Sequence, residues 1–434
     1  MPDLLRRLLP CCLLVLAVAG LALAPALLPG QVAVAWADDG DDGDDGDDGD
    51  AGGGAGASAG SGESGGDVDP GPRETPPAVQ TGAFVADELI AVNPTAGALQ
   101  RAAGWGATPI QTTRHGQLGL VLVRLRLPAG LDARSALAIA EERDPGVFDL
   151  HHRYELSQGA ACDAPGCDVL RGLDWPAAER CGRGQTVGIV DTEVTPGLAA
   201  LRGADVVQRV LRPAGAAPAD DGHGDAVASI LVGRPPAFAG LLPAARLRVA
   251  APFQRLPSGL VRADAAGLVG SLEWLLGQGA QVIGMSLAGP PNRALQAAVG
   301  AAQSRGALLV AAVGNGGRSA DPAHPAALDG VLGATATAAD GRVYWRAQQG
   351  AAVDFALPGV GLVVPQADGA LRPRSGTSLA VPFLLAVASQ SMAEGRLRPD
   401  QWRTGAGVPV RDLGPSGRDD VFGWGQPRVA LNCP

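Results

Sequence analysis

Lysine is absent from this chain, and all 34 of its Lys-or-Arg positions are arginine. Aromatic residues are scarce at 4%, which excludes a core built on rings; with 46% hydrophobic residues, the core must come from Ala, Val and Leu. Glycine and proline are plentiful instead, at 63 and 35 residues, so Ala/Gly/Arg-rich stretches read as a bias of the whole sequence and carry little functional weight. A large charge excess is missing where folding is expected. The formal net charge is −10, yet nine Asp lie between Asp38 and Asp50, and the first 37 residues carry Asp3, Arg6 and Arg7. Without those two segments the remainder carries only −2, which argues against an electrostatic partner such as nucleic acid.

A length of 434 residues exceeds the needs of one ordinary domain, so two folded units with unfolded segments are expected. Residues 1–37 read as an export signal: Arg6 and Arg7, an apolar run from Leu8 to about Leu28, and Ala35-Trp36-Ala37 as a small-x-small cleavage site. The alternative is an uncleaved membrane anchor, the one route to membrane contact. Residues 38–81 are Asp/Gly-, Gly/Ala/Ser- and then Pro-rich; so little apolar surface cannot offset the entropy of folding, which makes a disordered linker. The Asp run lacks the spacing of a calcium loop.

From Gly82 to Ser157 the pattern is a small α+β unit. Strands are expected at Phe84–Val92, Leu118–Leu127 and Val147–Leu156, with helices at Ala96–Gly104 and Asp132–Glu142, Asp132 being the N-cap. This β-α-β-α-β order suits a ferredoxin-like layer of helices on one sheet. From about Asp168, apolar runs at Gln185–Val190, Gln281–Leu287, Ala307–Val313 and Val331–Ala336 alternate with helical segments. That is the signature of an α/β fold whose parallel sheet is covered on both faces.

Four segments carry chemistry. Gln185-Thr-Val-Gly-Ile-Val-Asp191-Thr192 puts a carboxylate at the C-terminal end of a buried strand, where sites assemble in open α/β sheets. Asp221-Gly222-His223-Gly224 offers an imidazole flanked by glycines that permit a tight turn. Leu308 to Gly316 ends a buried strand with Asn315 between two glycines, a side-chain donor or an ordinary Asn-Gly turn. Ser375-Gly376-Thr377-Ser378-Leu379-Ala380-Val381-Pro382 opens a long apolar helix to about Ser391, with Pro382 setting its start close to Ser378. A serine there is either an N-cap or a nucleophile served by free N–H groups and the helix dipole.

Together, in this order, these segments resemble the subtilisin-like (S8-type) serine proteases. The resemblance runs from about Asp168 to Cys433 and includes Val282 to Pro290, His324 to Val331, Val353 to Gly359 and Phe422-Gly423-Trp424-Gly425. It implies a three-layer fold over residues 158–434, and an exported endopeptidase acting through an acyl-enzyme on protein or peptide substrates. Ser378 would be the nucleophile, His223 the general base and acid, Asp191 its orienting carboxylate and Asn315 an oxyanion donor. Ser286, Leu287, Ala288 and Gly289 would pair with an extended substrate. Ala312 and Gly314 would line the same cleft, with Ala323-His324 nearby. Residues 82–157 would be a propeptide, chaperone and intramolecular inhibitor, removed by self-cleavage after His152 and before about Asp168, around Ser157-Gln-Gly-Ala-Ala161.

The chain departs from the family at Glu193 for Gly, Asp225 for Thr, Ala226 for a second His and Ala288 for Gly, whose methyl narrows the cleft. Asp225 and Glu193 are expected to raise the pKa of His223. Four of the six cysteines follow the signal: Cys162, Cys167, Cys181 and Cys433. Three connectivities exist; Cys162–Cys167 with Cys181–Cys433 is the expected one, the second tying the catalytic domain's start to its end. No matched His stands by Cys162 and Cys167, so no zinc is expected. The chemistry requires no cofactor, and structural calcium, common in the family, has no assignable ligands. Two alternatives stay open: a catalytically silent binding module on this fold, and a peptide ligase or cyclase using the same triad.

Overall fold

The computed structural model describes residues 83–156, 175, 180–219 and 221–433. The expected signal segment, the linker, Cys162, Cys167 and the cut region from Ser157 to Ala161 lie outside the described residues.

The first unit runs β1 (Phe84–Val92), α1 (Ala96–Gly104), β2 (Thr108–His115), β3 (Leu120–Arg126), α2 (Ala133–Arg143) and β4 (Phe148–Leu156). Each helix starts at a side-chain cap: Thr95 accepts from Ala98 N, and Asp132 accepts from Arg134 N and Ser135 N. The sheet order is β2-β3-β1-β4, antiparallel throughout. The unit is therefore a β-α-β-β-α-β ferredoxin-like layer, one strand richer than the expected order. The extra strand, β2, is an edge strand of Thr, Gln, Arg and His with almost every side chain exposed. It has no apolar alternation to reveal it, and Pro109 sits at a register shift, where an edge strand tolerates it.

Period-two alternation splits β1 between two cores. Leu89 and Ala91 pack under α1 and α2, with Leu125 and Phe148. Ile90 points the other way and joins Leu120, Leu122 and Tyr154 against the second unit.

That unit begins with β5 (Thr186–Val190), β6 (Asp205–Val210), β7 (Ala217–Pro218), α3 (His223–Val232), β8 (Arg246–Ala251) and β9 (Gln254–Arg255). Next come β10 (Val261–Asp264), α4 (Ala265–Gly277), β11 (Val282–Met285), β12 (Leu287–Ala288), α5 (Arg293–Ser304) and β13 (Leu308–Ala312). It continues with β14 (Val331–Thr337), β15 (Phe355–Pro358), β16 (Leu362–Pro365), β17 (Leu371–Arg374), α6 (Thr377–Ala393) and α7 (Pro399–Thr404). Seven strands form a wholly parallel sheet in the order β15-β14-β13-β11-β5-β8-β6. Helices α3 and α6 pack on one face, α4 and α5 on the other, so the inner strands are apolar on both sides, while the edge strand β6 is largely exposed. The strand expected at Gln281–Leu287 divides: β11 stays in the parallel sheet, while β12 leaves it to pair antiparallel with β4.

The two units meet through polar groups as well as apolar ones. Asp149 Oδ2 accepts from Arg293 N at 2.7 Å, giving the start of α5 an anionic partner. The Glu273 carboxylate on α4 accepts from Gln117 N and Leu118 N at 2.8 and 2.9 Å. The end of β4 lies between two strands of the second unit, Tyr154 opposite Ala263 on β10 and Glu155 opposite Ala288 on β12.

Cys181 and Cys433 form a disulfide across 252 residues of sequence. The tail beside it is held by Glu394, whose carboxylate accepts from Asn432 N and Cys433 N at 3.0 and 2.9 Å. Closing so long a loop restricts the unfolded chain strongly. Replacing both cysteines by serine is expected to lower unfolding stability by about 2–4 kcal/mol, measured by denaturant titration.

Candidate active site

Asp191 follows β5 directly, at the C-terminal edge of the parallel sheet. Its backbone N–H reaches Ala250 O at 3.1 Å, and its Oδ1 accepts from Thr192 N at 2.7 Å. His223 is the first residue of α3, delivered by Gly222 in the left-handed region at φ 67°. Glycine is also required at position 224, where a Cβ would collide with the carbonyl of Thr192. His223 Nδ1 lies 2.7 Å from Asp191 Oδ1, and its Nε2 lies 2.9 Å from Ser378 Oγ. A carboxylate only accepts, so Nδ1 carries the proton and Nε2 is the acceptor for the hydroxyl. All three side chains are almost wholly shielded from solvent.

Ser378 is the second residue of α6, where backbone N–H groups have no intrahelical partner. Pro382 stands one turn later, deeper in the helix than the sequence pattern implies, and it has no N–H to give the carbonyl of Ser378. Ser286 fills that gap: its Oγ donates to Ser378 O at 3.2 Å. A residue expected for its backbone thus also holds the turn bearing Ser378.

Asn315 follows β13 by three residues. Its Oδ1 accepts from Thr377 N at 3.2 Å and from Thr377 Oγ1 at 3.0 Å. Those two donors orient the amide, leaving Nδ2 buried with no acceptor. Gly314 has φ 101°, and a side chain there would run into Gln348. Ala312 is buried in β13, and Gly289 exchanges two hydrogen bonds with His324, at 3.0 and 2.9 Å. Leu287 and Ala288 lie beside Leu156 and Glu155, so the expected substrate strand is occupied by the end of β4. A side chain at Gly289 would collide with the ring of Tyr154.

The Subtilase family profile matches residues 182–425, more than half of the chain. The chain belongs to the subtilase family. This subtilase is 31% identical over 231 residues to thermitase of Thermoactinomyces vulgaris, covering 51% of this chain and 79% of thermitase. It is 29% identical over 213 residues to the minor extracellular protease Epr of Bacillus subtilis (strain 168), covering 48% of this chain. The match takes in only 32% of Epr, about a third of that protein's length. Among solved structures, fervidolysin from Fervidobacterium pennivorans, a keratinolytic enzyme related to subtilisin, aligns with TM-score 0.64 at 18% identity, covering 81% of this chain and 61% of that one. The epidermin leader peptide processing serine protease of Staphylococcus aureus aligns with TM-score 0.61 at 14% identity, over 79% and 96% of the two chains. At such identities the likeness is one of fold.

The subtilase's own departures resolve differently from expectation. Glu193 forms an ion pair with Arg212, and the Asp225 carboxylate accepts from Thr195 N and Thr195 Oγ1, both at 2.7 Å. Burial lowers the pKa of His223, but Asp191 and then Asp221 outweigh it and leave it raised, with Arg374 opposing them. The upward direction is the expected one, and the second carboxylate behind it is Asp221. Its position two residues before His223 was the available signal. Asp225 is itself raised, by burial first and by Asp191 and Asp221 in addition. Among the described residues no group of three or more His, Cys, Asp or Glu converges in a way that suits a metal, so calcium ligands stay unassigned.

Asp221→Asn removes a negative charge that favours imidazolium, so the His223 titration midpoint should fall, while Glu193→Gln should leave it in place. Histidine NMR titration in each variant checks both.

Proposed function

We propose that this subtilase is an exported serine endopeptidase, made as a zymogen, with Asp191, His223 and Ser378 as its triad. The observation that carries the reading is the unbroken hydrogen-bond chain Asp191–His223–Ser378 at the start of α6, beside the unpartnered Nδ2 of Asn315. In that reading Ser378 Oγ attacks the scissile carbonyl while His223 Nε2 takes its proton. The carbonyl oxygen becomes an oxyanion that accepts from Asn315 Nδ2 and Ser378 N–H. His223 passes the proton to the leaving amine, and the acyl-enzyme remains. Water then repeats the sequence: His223 deprotonates it, it attacks the ester, and Ser378 regains the proton as the acid product leaves. Asp191 keeps the imidazole in the required tautomer and stabilises its cation. Whether water or a second amine resolves the acyl-enzyme separates hydrolysis from ligation, and product masses distinguish them.

The propeptide reading is supported by where β4 lies. Its end pairs antiparallel on both sides, with β10 and β12, which is how an extended peptide would be held by strand addition. Tyr154 is fully buried there. Burial drives its phenol well above its ordinary pKa, so it stays neutral in an apolar seat. A cut beyond Leu156 would leave the unit as a bound product, hence an inhibitor. Export is supported by the sequence of residues 1–37 and by the extracellular relative Epr.

Wild type is expected to shed its N-terminal unit, and Ser378→Ala to remain full length; a Ser378→Ala chain that still processes itself in isolation refutes the triad. Asn315→Ala should lower kcat by about 10²–10³-fold, the range seen for the equivalent amide in subtilisin itself, with folding retained by circular dichroism. Tyr154→Ala removes a buried ring worth about 3 kcal/mol, so the processed unit should inhibit roughly a hundredfold more weakly in a progress-curve assay.

A further inference from the structure

Ser378 and His223 belong to different helices, and the hydrogen bond between them is broken and remade in every turnover of the proposed reaction. It cannot hold its own ends in place. Some other contact must fix the distance between α6 and the loop ahead of α3, because a misplacement of about 1 Å at such a pair costs on the order of 10²-fold in rate.

We infer that Arg374 is a positioning residue of the triad: its guanidinium fastens the loop ending in His223 to the strand leading into Ser378. The inference rests on the triad reading above. Arg374 ends β17, four residues before Ser378. Its Nη2 donates to the carbonyl of Asp221 at 2.6 Å, two residues before His223. The Gly222 turn between them lies against the same hairpin: a Cβ there would sit 3.3 Å from Ala367 N and 3.7 Å from Arg374 Nη2.

The guanidinium is itself aimed. Nε and Nη2 donate to Gln366 Oε1 at 2.8 and 2.5 Å, and Gln366 is buried at the turn of the β16–β17 hairpin. Gln366 Nε2 is held in turn by Val364 O and Pro365 O, at 3.0 and 3.2 Å. On the far side, Asp221 Oδ1 accepts from His223 N at 3.0 Å and from Thr192 Oγ1 at 3.2 Å. Thr192 adjoins Asp191, so one arginine links the supports of all three side chains.

Charge gives Arg374 a second effect. Asp191 reaches His223 from the end of β5 and Asp221 from the preceding loop, while Asp225, in the first turn of α3, is taken up by Thr195. Glu193 is paired with Arg212. Arg374 comes from β17 as a cation opposing this acidic set, and it disfavours imidazolium where Asp191 and Asp221 favour it. A base must be neutral to accept a proton, so Arg374 extends activity toward lower pH.

Three variants separate clamp from charge: Arg374→Met loses both, Arg374→Lys keeps the charge without the planar fork, and Gln366→Ala keeps the arginine but unseats it. Each is measured per active site, by titration with a serine-directed phosphonate, for kcat, KM and the acid limb of kcat/KM. Arg374→Met should lose about 10–100-fold in kcat with KM within about twofold of wild type, and its acid limb should move to higher pH. Gln366→Ala should lose kcat with the limb unmoved, and Arg374→Lys should keep the limb and recover part of kcat. Wild-type kcat and limb in Arg374→Met overturn the inference, as does lowered stability with both unchanged per active site. If Arg374→Met does not fold, wild-type kcat in both other variants overturns it equally. An active Ser378→Ala enzyme would refute the triad instead; a silent one beside wild-type Arg374 and Gln366 variants refutes this inference alone.

Discussion

An imidazole and a hydroxyl 155 residues apart in sequence lie 2.9 Å from each other, and most of what surrounds them exists to keep them there. The parallel sheet supplies the frame. β5 and β13 run the same way, so the segments that follow them, carrying Asp191 and Asn315, emerge at one edge. Helices α3 and α6 pack on the same face and present their starts, with His223 and Ser378, to each other. Fixing these groups before substrate arrives is what lets weak hydrogen bonds act on a transition state without reorganising.

Threonine and serine hydroxyls do much of the local fastening. Thr377 aims Asn315, Thr192 accepts from Gly224 N at 2.8 Å, and Ser286 serves the carbonyl that Pro382 frees. The acidic character of the pocket is only partly compensated within it. Glu193 pairs with Arg212, while Asp225 has two hydrogen bonds from Thr195 and stays a disfavoured charge, raised by burial and by its acidic neighbours.

Much of the architecture was legible in the sequence because it is written in apolar periodicity. Strands buried on both faces are short apolar runs of Val, Ile, Leu and Ala, and β1 and α1 fall where the pattern puts them. β2 was not legible, since an exposed edge strand of Thr, Gln and Arg resembles a loop. The switch of β12 from one sheet to another leaves no trace either, because pairing depends on what β4 brings from more than a hundred residues away. At the site, Asp191, His223, Asn315 and Ser378 stand in recognisable motifs and converge in space. Arg374 and Gln366 stand in none, and what Arg374 reaches in the His223 loop is a backbone carbonyl, which any residue at position 221 would offer.

The Cys181–Cys433 bond closes the second unit into a covalent ring that spans almost its entire length. A nick in any exposed loop between those cysteines opens the ring without releasing a fragment. The two pieces stay tethered at high effective concentration, and a packed core can hold them in register. If the proposed activity turns on the enzyme's own copies, such topology makes a severing event a tolerated scar.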